Sequence, residues 1–206
     1  MKRMLLSLPV GIWTFVVLCS CVGSQVAREV QLGRNALQTG NPQAAVGYLR
    51  NAAVLDPNYK TPYSIRESVW TYLGRAYYEV GNFPEARRAL EKALSDNKDD
   101  PLASLYLGLT LLRSGDQQAG RRETEAGLRG VNNLLNRLAS SPSSGIYWDP
   151  TRRIRSDIQQ ALSMTDTPDS SELIAVGERV GRRLDEEIDN ARLDESRDKY
   201  NRTGDM

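Results

Sequence analysis

WTYLGRAYYEVGNFPEARRALEKA, residues 70–93, is the stretch that decides the fold of this 206-residue chain. Its apolar and small residues recur at helical spacing on both sides of Gly81-Asn82, and this dipeptide predicts a turn between two helices. Asn82 has a typical N-cap side chain, and Pro84 falls in the first turn of the second helix, where a missing amide hydrogen has no consequence. The stretch therefore predicts a helical hairpin.

The same pattern occurs three times along the chain. A Leu-Gly pair is followed by a second Gly seven residues later at 32–40, at 73–81 and at 107–115. The first glycines of the repeats are 41 residues apart (33 to 74) and then 34 apart (74 to 108). The longer first interval contains the turn-rich residues 58–64, which predict an extended loop. Because one hairpin cannot bury its apolar face alone, the repeats must stack.

The middle repeat closely resembles the tetratricopeptide repeat (TPR) family. The first repeat departs from that family's pattern at Ala36, where a tyrosine is usual, and the third has Gly120, Thr124 and Gly127 at packing positions. The resemblance implies an all-α solenoid of about three helical hairpins over residues 26–139. It is carried by Trp70, Leu73, Gly74, Tyr77, Gly81, Ala86, Leu90 and Ala93.

The repeat period ends after the third hairpin, and other helical patterns follow. The Ser/Pro-rich residues 140–145 break the chain, after which Asp149-Pro150 predicts an N-cap and the first position of a helix. Asp169 and Glu172 have the spacing of a capping box, which predicts a last helix over about 170–199. We therefore predict an extension of helices over residues 140–199 and a disordered tail over residues 200–206.

The N-terminus predicts a leader and an anchor. Lys2 and Arg3 precede an apolar stretch that ends at Leu18 and is shorter than the about 20 residues a membrane helix needs. The run from Leu18 to Cys21 resembles the lipobox of bacterial lipoproteins. This resemblance implies a lipoprotein signal peptide over residues 1–20, acylation of Cys21 with palmitate-type chains, and a lipid-anchored tether over residues 21–25. The alternatives are an ordinary secretory signal and an uncleaved anchor.

Composition excludes several classes of function. The chain has no His, and its two Cys residues lie at or before the predicted anchor, so the body has no disulfide and neither Cys nor His as a metal ligand or catalytic group. Without Lys2 and Arg3 the mature chain has 25 basic and 26 acidic residues, a balance that argues against nucleic-acid binding. We expect no enzymatic activity, no cofactor and no metal.

A stacked TPR array has a concave surface, which the family uses to hold peptides or partner helices. Arg34 and Arg75 occupy equivalent positions in successive repeats, and the third repeat offers an apolar wall, so we expect a ligand with an acidic and an apolar end. The alternative is that the C-terminal helix covers the apolar wall. The predicted partner-binding groove consists of Val30, Arg34, Leu37, Thr71, Arg75, Tyr78, Leu105, Leu109 and Leu112.

A second candidate site lies outside the repeats, where aromatic residues precede a group of cations. Such a patch can recognise a phosphate, an anionic lipid head group or a peptidoglycan-type acid, since Arg forms bidentate contacts. The alternative is a hydrophobic staple beside a solvated face, and the acids over residues 185–189 are expected on another solvated face. The patch consists of Tyr147, Trp148, Arg152, Arg153 and Arg155.

These patterns predict a non-enzymatic adaptor. The sequence is similar to small TPR lipoproteins, which implies a scaffold on the periplasmic face of the outer membrane that holds a protein partner during assembly of pilus, secretion, outer-membrane or polysaccharide-export machinery. Val22, directly after the anchor residue, favours the outer membrane over the inner one. The alternative function is a cell-wall or anionic-ligand binding module that uses the region from Tyr147 to Arg155.

Overall fold

The structure, a computed structural model, describes residues 11–62, 64–141, 145–164 and 169–204, with the helical backbone alone for residues 11–22, 195 and 198–204. The described residues form eight α-helices, a 3₁₀ turn at Gly145–Tyr147 and no β-strand. The helices are α1 (Gly11–Gln38), α2 (Pro42–Leu55), α3 (Val69–Glu79), α4 (Phe83–Asp96), α5 (Pro101–Arg113), α6 (Gln117–Ala139), α7 (Arg153–Leu162) and α8 (Ser171–Gly204).

Helices α1 to α6 form three successive hairpins, which confirms the predicted all-α TPR solenoid. Each hairpin turns at a glycine with positive φ, at +74° for Gly40, +79° for Gly81 and +92° for Gly115. The next residue in each case caps the second helix through its side-chain oxygen, as Asn82 does for the amide of Glu85. The repeated turn chemistry explains why the three hairpins have the same geometry.

The two helices of each hairpin cross at small residues. A Cβ atom on Gly74 would lie 2.7 Å from Leu90 Cδ2, so only glycine lets α3 and α4 approach this closely. In the third hairpin a Cβ on Gly127 would lie 2.5 Å from the Cα of Leu105, and Gly108 meets the backbone of Thr124. The residues that depart from the family pattern in α6 therefore bring α5 and α6 closer together, and α6 continues to Ala139 as predicted.

The loop between the first two hairpins carries the additional residues. Thr61 N donates to Glu67 O at 2.9 Å and Val69 N donates to Tyr59 O at 3.0 Å, so the loop folds back on itself. Ser68 then caps α3 by accepting from the amide of Thr71 at 3.2 Å. This arrangement places Glu67 in the interior, where its side chain is 2% exposed.

The C-terminal helices begin and end differently from the prediction. Helix α7 begins at Arg153 because Asp149 and Arg152 adopt left-handed backbone conformations, with φ of 48° and 55°. Asp149 still caps α7, since its carboxylate accepts from the amides of Ile154 at 3.1 Å and Arg155 at 3.2 Å. The backbone of α8 is helical to Gly204, so the disordered tail predicted from residue 200 is wrong as far as residue 204.

Candidate functional site

Helix α8 lies along the concave surface formed by the first helices of the hairpins. Gly177 faces Leu109 of α5, and a Cβ on Gly181 would lie 2.8 Å from Tyr106 Cζ. Further along α8, Asp185 reaches Arg75 of α3 and Asp189 reaches Arg34 of α1. The helix therefore runs from the third repeat to the first, in the position that a bound peptide would take in an open TPR groove.

The predicted open groove is wrong, because α8 and its neighbours cover it. The expected alternative, in which the C-terminal helix covers the apolar wall of the third repeat, is correct. Helix α8 also reaches Arg34 and Arg75 of the first two repeats, whereas Val30 and Leu37 are buried within the core of the first two hairpins. Each predicted groove residue is 6% exposed or less: Val30, Arg34, Leu37, Thr71, Arg75, Tyr78, Leu105, Leu109 and Leu112.

The apolar face of α8 explains why it occupies the groove. Its large apolar residues are 2% exposed or less, and each contributes about 1.5–3 kcal/mol on burial, so together they stabilise the docked helix by on the order of 10 kcal/mol. Part of this contact is with α7, and a partner that occupied the groove would have to replace the part made with α5. The residues concerned are Leu173, Val176, Val180, Leu184 and Ile188.

A buried charge cluster joins α8 to the first two repeats. Arg75 Nη1 donates to Asp185 Oδ2, and Arg34 Nη2 lies 3.9 Å from Asp185 Oδ1. Arg34 Nη1 also donates to Asp189 Oδ1 at 3.1 Å, and Gln38 donates to the other oxygen of Asp189 at 2.7 Å. The acidic ligand group expected for the two arginines is thus part of the same chain.

Asp185 shows where the sequence interpretation of the acidic residues was wrong. The side chain was expected on a solvated face, but the residue is 0% exposed and lies between two guanidinium groups. Burial by itself lowers the pKa of Arg75, but the Asp185 carboxylate outweighs this and holds that pKa well above its usual value. Arg75 therefore remains charged, and its contact with Asp185 is a structural ion pair.

Glu67 adds a second buried acid, and no periodic pattern in the sequence identified it. Burial, with Asp185 and Asp100 nearby, raises the pKa of the Glu67 carboxyl to about 8, against the opposing effect of Arg34. A small cavity lies between this carboxyl and the Arg75–Asp185 pair. The Tyr72 side chain hydrogen-bonds to this carboxyl and favours its charged form, but burial has the larger effect. Near neutral pH the acid is therefore largely protonated.

Aromatic rings shield the two buried arginines. The Arg34 guanidinium lies 5.6 Å from the ring centroid of Tyr72, and the Arg75 guanidinium lies 5.4 Å from that of Tyr106. Tyr72 and Tyr106 are each 2% exposed, so the rings and cations form a continuous layer beneath α8. The rings hold the cations in place, and this part of the interior has the packing of a core.

The predicted anionic-ligand patch is not assembled as a surface. Trp148 is 5% exposed and belongs to the core, and Arg155 Nη1 donates to Asp149 Oδ2 at 2.9 Å. Tyr147 is half-buried, so only Arg152 and Arg153 of the patch are exposed. The patch prediction is therefore wrong in grouping these five side chains. Trp148 packs in the core, and Arg155 binds Asp149, the residue that caps α7.

The predicted anchor lies in the first helix. Residues 1–10 of the predicted signal peptide lie outside the described residues, and the backbone of residues 11–25, including the predicted tether, continues into the first repeat as α1. Among the described helices, we find none with both the length and the apolar character needed to cross a membrane. The Cys21 side chain is outside the described residues, so its lipidation stays a prediction.

Comparison with known proteins supports the repeat assignment. Residues 73–129, from within α3 to within α6, match a tetratricopeptide repeat family. The match includes the third hairpin, in which the sequence departs most from the family pattern. No curated protein matches the chain. The chain therefore contains tetratricopeptide repeats, and they form the core of its all-α fold.

Proposed function

We propose that this protein is a non-enzymatic scaffold of the bacterial envelope, lipid-anchored through Cys21 on the periplasmic face of the outer membrane. TPR repeats are a common architecture for binding protein partners, which supports the adaptor role. The leader that ends at Cys21 supports the anchor. The scaffold would hold a protein partner during assembly of pilus, secretion, outer-membrane or polysaccharide-export machinery.

The observation that carries this proposal is the short distance between the predicted anchor and the first repeat. Val26 is 1% exposed and already belongs to the core, only five residues after Cys21. At 1.5 Å per helical residue, this separation is about 8 Å. An acylated Cys21 would therefore hold the first repeat directly at the membrane surface, and its partner would have to be accessible there.

The filled groove restricts how a partner binds. Because α8 is held by buried apolar contacts and the Asp185 ion pair, the scaffold would present its outer helices rather than its concave surface. The exposed sides of α2 and α4 belong to the first two repeats, which lie nearest the proposed anchor. These sides are the surfaces that we assign to partner binding.

The anchor is tested by replacing each of the two cysteines. Cys21→Ala is expected to abolish metabolic labelling with palmitate in the native host and to release the protein from the membrane fraction. Cys19→Ala is the matched control, because it removes a thiol two residues earlier and should leave labelling and fractionation unchanged. Labelling that survives in Cys21→Ala, or disappears in Cys19→Ala, contradicts the proposed anchor.

The adaptor role is tested in crosslinked envelopes. The affinity-tagged full chain should recover one dominant protein partner, and the recovery should depend on membrane attachment. Binding to isolated sacculi without any protein partner would instead favour a cell-wall module. Equal recovery of many proteins by the wild type and by Cys21→Ala contradicts the scaffold role.

A further inference from the structure

An apolar cleft of about 410 Å³ lies between the second helices of the first two repeats. Ala53 of α2, Leu73 of α3 and Ala89 of α4 form its base and are buried, while Trp70 and Tyr77 line it and are partly buried. The cleft is on the side of α3 that faces α2 and α4, whereas α8 contacts α3 through Arg75 and Tyr78. It is therefore separate from the filled groove.

The aromatic wall of this cleft is held in place. Trp70 Nε1 donates to the carbonyl oxygen of Pro57 at 2.7 Å, which fixes the indole against the loop after α2. Val54, at the rim, is 84% exposed, which is unusual for an aliphatic side chain next to a concave apolar surface. A preformed cleft with a rigid aromatic wall is suited to accept an apolar side chain of a partner.

Cations outnumber acids around the cleft. Its charged lining consists of Arg50, Arg88, Lys92 and Glu85, which is three positive groups and one negative group. Arg50 makes no hydrogen bond or ion pair with any other part of the chain that the structure describes. Arg88 pairs with Glu85 at 2.6 Å, but these side chains are 72% and 38% exposed, so the pair is weak and exchangeable.

The third cation is also available to a partner. Lys92 pairs with Asp96 at 2.6 Å on the exposed surface of α4, with side chains 46% and 28% exposed. Exposed pairs of this kind contribute about 0–1 kcal/mol, so a partner carboxylate can replace Asp96 at little cost. The Tyr77 hydroxyl, within the cleft, makes no hydrogen bond in the described part of the chain and can donate to an acid.

We propose that the cleft between α2 and α4 is the docking site for an acidic, amphipathic peptide segment of the partner protein. An apolar or aromatic side chain of that segment enters over Trp70 and beside Val54, and neighbouring carboxylates contact Arg50 and Lys92. The net positive rim selects acidic segments over basic ones, as charge complementarity does in other interfaces. This inference rests on the proposed scaffold role and names the surface and the partner chemistry.

A random library of 12-residue displayed peptides tests the site with the full chain in detergent micelles. Selection on the wild type is combined with counter-selection on the Arg50→Glu/Lys92→Glu chain under the same conditions, which removes peptides that bind micelles or other surfaces. We expect the remaining peptides to carry net negative charge and at least one large apolar residue. Their affinity should fall at least about tenfold for the double variant.

Matched variants keep the test specific to the cleft. Arg122→Glu reverses an exposed cation on α6, and Ile146→Glu changes an apolar side chain that is 76% exposed, so both should leave binding unchanged. Val54→Glu should weaken binding about tenfold, since it places a carboxylate at the rim. The cleft proposal is overturned if counter-selection leaves no peptides, if those left are not acidic, or if the control variants weaken binding equally.

The proposed docking site and the proposed anchor can be rejected independently of each other. Loss of peptide selection with intact palmitate labelling of the wild type rejects the docking site and leaves the scaffold role in place. Intact selection with unchanged labelling of Cys21→Ala rejects the anchor and leaves the docking site in place.

Discussion

Asp185 accepts a hydrogen bond from Arg75 across 110 residues of sequence, and this buried pair fixes α8 within the groove of the solenoid. Asp185 is 0% exposed and Arg75 is 4% exposed. Removing one member of a buried ion pair leaves the other charge in the interior without compensation. The pair is therefore the point at which docking of α8 is most sensitive to a single substitution.

Asp185→Asn is expected to lower the free energy of unfolding by about 3–5 kcal/mol, because the two guanidinium groups lose their shared carboxylate. The measurement is denaturant unfolding followed by circular dichroism. Asp194→Asn is the control, since Asp194 and its partner Arg197 are 46% and 71% exposed and their pair should contribute about 1 kcal/mol or less. Equal losses for the two variants would show that burial does not determine the role of Asp185.

Reversing both arginines is expected to unfold the body. Arg34→Glu with Arg75→Glu would place two further acids beside Asp185 and Glu67 in the interior, where charges without partners are strongly disfavoured. Far-ultraviolet circular dichroism should show a large loss of helix. The control is Arg87→Glu with Arg129→Glu, in which both cations lie on exposed helix faces. A fully helical Arg34/Arg75 double variant would contradict the docked position of α8.

Gly181→Ala is expected to destabilise the protein by about 1–3 kcal/mol, because the new methyl group meets the ring of Tyr106 where α8 crosses α5. Thermal unfolding measures the effect, since 1 kcal/mol corresponds to about 2–4 °C in Tm for a chain of this size. Gly47→Ala is the matched control. Its Cβ would meet nothing within 4 Å, so the substitution should stabilise α2 by about 0.5–1 kcal/mol. A shift of the same sign in both variants would reject the close crossing.

Glu67 is expected to make stability fall as the pH rises. Its pKa of about 8 in the folded protein lies above the ordinary value of 4.5, so the folded state binds more protons than the unfolded state between these values. This contribution is fully present below about pH 4.5 and is lost as the pH rises through about 8. Unfolding of the wild type is compared with that of Glu67→Gln from pH 5 to pH 9.

Glu67→Gln should become more stable relative to the wild type across that range, because the amide does not ionise. The groups that face Glu67 are Arg34, Tyr72, Asp100 and Asp185, and all of them are retained in the variant. Glu85→Gln, on the exposed surface of α4, is the control and should keep the pH dependence of the wild type. A constant difference between the wild type and Glu67→Gln at every pH would show that Glu67 does not titrate there.

Two truncations separate the docked part of α8 from its end. Removing residues 192–206 should change the free energy of unfolding by less than about 1 kcal/mol, since Ala191 is the last buried apolar residue among the described side chains and Leu193 is 64% exposed. Removing residues 169–206 should destabilise the body or cause association, because Leu105, Tyr106 and Leu109 lose their cover. Unfolding curves and light scattering measure both, and similar behaviour of the two truncations would contradict the docking of α8.

The sequence by itself determined the hairpins, because their information is local. Gly40, Gly81 and Gly115 supply the positive φ of each turn, and the following Asn or Asp caps the next helix within three residues. Local sequence signals also located α6, which ends at Ala139, and the start of α8, where Asp169 and Glu172 have the spacing of a capping box. These features depend on neighbours a few residues apart, so they can be read without the rest of the fold.

Tertiary structure alone decided what occupies the groove. Arg34 and Arg75 occupy equivalent repeat positions in the sequence whether their side chains face solvent, a partner or another segment of the chain. Only the docking of α8 places Asp185 between them. Glu67 enters the interior through an irregular loop, and Trp148 is buried in the same core as the apolar residues of α7 and α8 although Asp149 follows it directly. Local patterns specify helices, but which surfaces become buried depends on the free energy of bringing distant segments together.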